Sequence, residues 1–277
     1  MRHVESGTGA RMPVVGLGTW DMGVRRTERT REVAALQLGF DLGLTLVDTA
    51  EMYAQGGAEE VVGEALQGRR EGIFVVSKVL PENASCAGTQ RAAERSLQRL
   101  RIDCIDLYLL HWPGDHPLEE TFEAFAALQS AGKICHYGVS NFDLAAVVAV
   151  AALPQGAGMA ANQVYYNLVR RGIERRLLPW CLERGVVVMA YSPLEQGRLP
   201  DRAALREVAA RHRSTPAQVA LAWSIRQPGV VAIPKAADAR HVRDNARAAS
   251  IVLAPEDVAS LETDFPAPGA DIPLETL

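Results

Sequence analysis

The chain has 277 residues and a mass of 30.0 kDa, enough to bury a large core in one α/β barrel or in two smaller domains. Its 29 basic and 33 acidic residues leave a net charge of -4 and a pI near 5.9, a balance that argues against non-specific binding to nucleic acid. Met1 to Gly7 lacks the apolar core of a signal peptide, and the longest apolar run, Leu144 to Leu153, falls short of the ~20 residues that span a bilayer, so a cytoplasmic protein without a membrane partner is expected.

In chain order, Arg2 to Pro13 reads as a polar hairpin turning at Gly7-Thr8-Gly9, ahead of a first apolar strand at Val14 to Gly18. A regular beat follows. Helical pattern over Thr27 to Leu42 leads into a strand from Leu44 to Asp48, and Gly57 to Leu66 leads into a strand from Ile73 to Lys78. Thr89 to Leu100 leads into Ile105 to His111, and Leu118 to Ser130, closed by Gly132, leads into Ile134 to Val139. Asp143 to Ala152 precedes a strand at Met159 to Gln163. Ile173 to Glu183, with Pro179 starting its second part, precedes Val186 to Ala190. Two helices, Asp201 to His212 and Pro216 to Gln227, precede the eighth strand at Val230 to Pro234; Asp238 to Ala248 and Pro255 to Asp264 complete the series.

Eight near-continuous apolar strands alternating with amphipathic helices predict a parallel sheet, and eight such units predict a (β/α)8 barrel of the α/β class, with an N-terminal β-hairpin and extra C-terminal helices. One domain over residues 1–277 is expected. In such a barrel the site lies at the C-terminal ends of the strands, where the sequence places Asp48, Lys78, His111, Ser140, Asn141, Gln163, Tyr191 and Lys235.

An ammonium at the end of an apolar strand loses several kcal/mol of hydration unless paired, and Asp48 is the obvious partner for Lys78. That pair alone could be scaffold. Tyr53, five residues past Asp48, gives it a use: an ammonium beside a phenol favours the phenolate, which predicts a lowered pKa and a better proton donor near neutrality. His111 could be a satisfied core histidine, or its N–H could hold a carbonyl oxygen where negative charge develops. The six histidines form no H-x-H pair, so no metal site is expected, and the four cysteines, far apart in the chain with no C-x-x-C pair, are expected to be reduced thiols.

Taken together, G-L-G-T-W at Gly16 to Trp20, D-T-A-E-M-Y at Asp48 to Tyr53, the strand ending in Lys78, L-L-H-W-P at Leu109 to Pro113, G-V-S-N-F at Gly138 to Phe142, N-Q-V at Asn162 to Val164, A-Y-S-P-L at Ala190 to Leu194 and I-P-K at Ile233 to Lys235 resemble the aldo-keto reductases, of the bacterial diketogulonate and methylglyoxal reductase type. The resemblance covers nearly the whole chain. It implies reduction of aldehydes or ketones with NADPH, with NADH a weaker possibility, and a catalytic tetrad of Asp48, Tyr53, Lys78 and His111 in which Tyr53 is the general acid. It also implies a cofactor site built from Gly18, Thr19 and Trp20; from Ser140, Asn141 and Gln163 at the carboxamide; from Tyr191 stacked on the ring; from Ser192 and Leu194 over the pyrophosphate; and from Lys235, Arg240, His241 and Asn245 around the adenosine 2′-phosphate and adenine.

Trp20, Met22, Met52 and Trp112 are expected to line an apolar substrate mouth. Short walls at Gly114 to Pro117 and after Phe265 favour small aldehydes, dicarbonyls or keto-sugars over steroids. The pattern departs from the family after the I-P-K lysine, where Ala236 and His241 stand in place of the usual Ser and Arg, which weakens the phosphate assignment. Gly16-Leu17-Gly18 lacks the third glycine and the context of a dinucleotide fingerprint. A monomer acting on a small carbonyl is expected; the alternative is a regulatory or redox-sensor subunit that keeps the cofactor and turns over little.

Overall fold

The computed structural model describes residues 1–277. A two-stranded antiparallel hairpin, β1 (His3–Glu5) and β2 (Arg11–Pro13), opens the chain. Then come β3 (Leu17–Gly18), α1 (Arg29–Asp41), β4 (Leu46–Asp48), α2 (Gly57–Ala65), β5 (Phe74–Val79), α3 (Cys86–Leu100), β6 (Ile105–Leu110), α4 (Leu118–Ser130), β7 (Ile134–Ser140) and α5 (Leu144–Ala151). The second half holds β8 (Met159–Tyr165), α6 (Leu177–Glu183), β9 (Val187–Tyr191), α7 (Ala203–Arg211), α8 (Pro216–Ser224), β10 (Val230–Ala232), α9 (Ala239–Ala248) and α10 (Pro255–Asp264). No helix is long and apolar enough to cross a membrane.

β3 to β10 form one curled sheet of eight parallel strands in sequence order. Regular ladder pairing stops between β3 and β10, where isolated bridges join Val15 to Ala232 and Gly18 to Lys235. Backbone hydrogen bonds from Gly16 N to Ala232 O (2.9 Å), Ala232 N to Val14 O (2.9 Å) and Gly18 N to Pro234 O (3.0 Å) run along those bridges. The approach there is so close that a Cβ on Gly18 would lie 2.8 Å from the Ile233 carbonyl oxygen, which explains a glycine at the end of the first strand. The thin pairing also explains why β3 and β10 are shorter than the apolar runs at Val14 to Gly18 and Val230 to Pro234; Pro234 has no N–H to give.

Strand alternation sorts the core into two layers. Leu46, Val76, Leu107, Leu109, Met189 and Val231 pack inside the curl with Ala10 and Met12 of the hairpin. Their neighbours Val47, Val75, Tyr108, Leu110, Val188 and Val230 face the helices in a larger cluster of 63 residues. The helix expected at Ile173 to Glu183 is a 3-10 turn (Gly172–Arg175) followed by α6, which starts at Leu177 rather than at Pro179. Pro179 occupies the first turn of α6, where a missing N–H costs nothing.

Candidate active site

The same alternation that buries Leu46, Val76 and Leu109 on the inside places Asp48, Lys78 and His111 there, each two residues farther along its strand. Register does the rest. Asp48 pairs with Val76 and Lys78 with Leu109, so each functional residue stands two positions beyond the partner of the previous one, stepping around the curl at its C-terminal rim.

Lys78 is fully buried, and its Nζ donates to Asp48 Oδ1 (2.9 Å), Asp48 Oδ2 (2.8 Å) and the Thr49 carbonyl (2.8 Å). Tyr53 begins the turn after β4, and Lys78 Nζ also donates to its hydroxyl oxygen at 3.3 Å. Gln163 Nε2 donates to Asp48 Oδ1 at 2.7 Å, joining β8 to the same carboxylate across the curl. Burial works to lower the Lys78 pKa, but the charge of Asp48 and the Tyr53 oxygen together outweigh it and hold the ammonium above the ordinary lysine value. Tyr53 corrects the expectation of a lowered phenol. Burial raises its pKa and outweighs the lowering by Lys78, while Asp48 adds to the rise. The phenol therefore keeps its proton at neutral pH.

His111 is driven down to about 2, first by burial and then by the Lys78 charge, so its imidazole is neutral. Its Nδ1 is buried with no partner in the protein, while Asn141 Nδ2 donates to the His111 carbonyl oxygen (3.1 Å). Trp20 meets Tyr53 edge-on at 5.1 Å between ring centroids, and Tyr53 meets His111 at 5.8 Å.

A cavity of about 940 Å³ extends from this cluster along the rim. Thr19, Trp20, Asp48, Met52, Tyr53, His111 and Trp112 line it; Ser140, Asn141, Gln163, Tyr191, Ser192 and Leu194 line it too; and Gly18, Lys235, His241 and Asn245 complete the lining, Gly18 and Lys235 being joined by the bridge between the first and last strands. Lys78 lies behind Asp48 and Tyr53 and does not reach the space. Two expected residues are elsewhere. Met22 is wholly buried in the core between sheet and helices, and Arg240 points outward with its side chain 82% exposed, reaching only toward Asp244 at 3.9 Å.

Asn141 is committed at both ends of its amide, since Nδ2 donates to His111 O and Ser140 Oγ and Oδ1 accepts the Tyr191 hydroxyl proton at 2.9 Å. Ser140 Oγ and Gln163 Oε1 are the groups left to meet a carboxamide. Tyr191 is backed by Tyr165, stacked at 5.4 Å with planes 9° apart, and the Tyr165 hydroxyl is fixed by Glu195 Oε1 at 2.7 Å. Glu195 in turn accepts from Asn167 Nδ2 (3.0 Å) and Arg170 Nε (3.0 Å), which ties the 192–197 loop to the end of β8. The sequence reading missed Tyr165, although it stands two residues after Gln163 and period-two alternation alone puts it on the same face.

Also missed was the start of α8, where Thr215 to Gln218 line the cavity. The signal was present: Thr-Pro-Ala-Gln before an apolar run is a capping box, and Thr215 Oγ1 accepts from Gln218 N while Gln218 Oε1 accepts from Thr215 N. Beside Lys235 the first N–H groups of α9 are taken by the Asp238 carboxylate, which accepts from Arg240 N (2.9 Å) and His241 N (3.4 Å).

Residues 14–263 match the family described as the Aldo/keto reductase family. The chain is 51% identical over 269 residues to methylglyoxal reductase YeaE of Escherichia coli K12, covering 95% of each, and 35% identical to glyoxal reductase of Bacillus subtilis 168, covering 92% of this chain and 89% of that one. It superposes with a TM-score of 0.96 on the crystal structure of an aldo/keto reductase from Klebsiella pneumoniae in complex with NADP and acetate, at 49% identity and 99% coverage of both chains.

Proposed function

Because the chain belongs to the aldo/keto reductase family, we propose that it reduces small aldehydes and dicarbonyls to alcohols with NADPH, with Tyr53 as general acid. The observation that carries this reading is the buried Asp48–Lys78–Tyr53 chain of contacts opening beside His111 into the cavity. The Escherichia coli and Bacillus subtilis relatives, a methylglyoxal reductase and a glyoxal reductase, support the substrate class.

The residues fit a nicotinamide dinucleotide. The Ser140 hydroxyl proton and Gln163 Oε1 remain to meet a carboxamide, the Tyr191 ring offers a flat face, and Lys235 supplies a cation in the lining of the same cavity. When bound, the reduced nicotinamide supplies a hydride for the carbonyl carbon. Tyr53 gives its phenolic proton to the carbonyl oxygen, and the Lys78 ammonium, 3.3 Å from the phenol oxygen, stabilises the phenolate left behind. Asp48 anchors that ammonium. Neutral His111 offers an N–H to the carbonyl oxygen where negative charge gathers. Trp20, Met52 and Trp112 exclude water around a small substrate. The bridges between β3 and β10 support reading the sheet as a closed (β/α)8 barrel, one domain over residues 1–277. The same reading takes the protein as a cytoplasmic monomer without nucleic-acid or membrane partners.

The test is NADPH oxidation with methylglyoxal and glyoxal. Turnover supports the reductase; tight NADPH binding without turnover on any of a panel of aldehydes would point to a sensor instead, and a clearly higher kcat/KM for a steroid ketone would overturn the small-substrate reading.

The pH dependence follows from the directions above. Tyr53 must be protonated to act, and its raised pKa keeps it so until pH climbs past the ordinary phenol value of ~10. His111 is neutral down to about 2. We expect kcat/KM for reduction to be flat from pH 5 to 8 and to fall only on the alkaline side, about pH 10 or higher. A limb near pH 6.5, where an ordinary histidine titrates, would contradict the assignment of a neutral His111.

Lys235 decides between NADPH and NADH. A charge-assisted contact is worth ~1.5–3 kcal/mol, or about ten- to a hundredfold in affinity. Lys235 is exposed, and the Asp238 carboxylate already occupies the N–H groups of α9, so a preference near the lower end, about tenfold, is expected. Lys235→Glu should raise KM for NADPH and leave KM for NADH nearly unchanged. Equal losses for both cofactors would mean that Lys235 does not read the phosphate.

A further inference from the structure

On the side of the sheet away from the cavity, Cys104 immediately precedes β6 and Cys135 is the second residue of β7. Parallel pairing of Ile105 with Ile134 brings these two residues, 31 positions apart in the chain, to one edge, and their sulfurs lie 3.2 Å apart. Cys135 is exposed and Cys104 half-buried. No other thiol has such a neighbour: Cys181 is buried, and the side-chain partner of Cys86 is Gln90. No group of three or more His, Cys, Asp or Glu side chains could hold a metal ion, so the pair is not part of a metal site.

We propose that Cys104 and Cys135 form a redox-modification site, closed to an intramolecular disulfide by a hydroperoxide. The exposed Cys135 reacts first: its thiolate attacks the O–O bond, the bond breaks, Cys135 becomes a sulfenic acid, and the alkoxide or hydroxide leaves and is protonated. The Cys104 sulfur then displaces the sulfenic hydroxyl, which departs as water with the Cys104 proton. Two electrons pass from the thiols to the peroxide, which ends as an alcohol, or water, plus water.

Burial, followed by the hydrogen bond and charge of Cys135, pushes the Cys104 thiol up to about 12, which keeps it protonated and leaves the first attack to Cys135. Oxidation of Cys135 removes two of those influences. A disulfide requires ~2.05 Å between sulfurs, so closure asks for a shift of about 1 Å. Cys104 precedes the ladder of β6, and its carbonyl oxygen is held by Arg70 Nη2 at 2.9 Å, so the shift falls first on the two side chains.

Ser140, at the cavity, is five residues farther along β7, roughly 16 Å from Cys135. The bond therefore staples the start of β6 to that of β7 without entering the chemistry, a reversible state of the kind reducing compartments allow.

The experiment treats the purified full-length protein with equimolar hydrogen peroxide and follows thiol titre, intact mass, peptide map and turnover. The expected result is loss of two of the four thiols, a mass lower by two hydrogens, a cross-linked peptide holding Cys104 and Cys135, kcat changed less than about twofold, and reversal by dithiothreitol. Cys104→Ser should instead accumulate a sulfenic acid at Cys135 that dimedone traps. Oxygen added to Cys135 in the wild type with Cys104 still free, a disulfide between two chains, or an unchanged thiol titre would each overturn the proposal.

Discussion

Tyr53→Phe is expected to lower kcat for carbonyl reduction by ~100-fold or more while NADPH affinity changes less than about twofold. The phenol is the proton store of the site: burial raises its pKa, so it is charged with its proton at working pH, and Lys78 stands 3.3 Å away to stabilise the anion after transfer. Phenylalanine keeps the ring that packs edge-on against Trp20 and His111, and Lys78 keeps its bonds to Asp48 and the Thr49 carbonyl. The loss should therefore sit in kcat rather than in folding or cofactor binding. Steady-state kinetics and a fluorescence titration of NADPH separate the two, and a kcat retained within about threefold would remove Tyr53 from the role of general acid.

Lys78→Met is expected to cost ~3–5 kcal/mol of stability and to abolish measurable turnover. The ammonium is fully buried, and its removal leaves the Asp48 carboxylate in an apolar rim with Gln163 Nε2 as its remaining side-chain donor. An uncompensated buried charge is what makes breaking such a pair expensive, whereas replacing both partners is often close to neutral. Asp48→Asn combined with Lys78→Met should recover most of the stability and none of the activity. Urea denaturation with an unchanged m-value measures the first quantity and NADPH oxidation the second. A single-mutant loss below about 1 kcal/mol would show that the pair is solvated more than its burial indicates, and an active double mutant would show that it is scaffold only.

Helices whose ends are marked by local chemistry were legible to the residue: α4 after Pro117 and before Gly132, and α10 with Pro255 at its first position. Strands at the join were not. β3 and β10 are shorter than their apolar runs because strand length is set by the partner, and there the partner is reached only through isolated bridges.

By itself the sequence determined the alternation of strands and helices, the inward set Asp48, Lys78 and His111 at strand ends, and the motifs that carry the family resemblance. Each depends on period, breaker residues or short spacing, which are local properties of the chain. Only the tertiary structure decided which groups touch. It put Gln163 on Asp48 from 115 residues away, Tyr165 beneath Tyr191, the capped start of α8 at the cavity wall, Met22 in the core and Arg240 in solvent. It also set the direction of the Tyr53 shift. From the sequence, the neighbouring ammonium is the visible influence, but desolvation depends on how many atoms from distant segments close over the phenol, and that count exists only once the chain has folded.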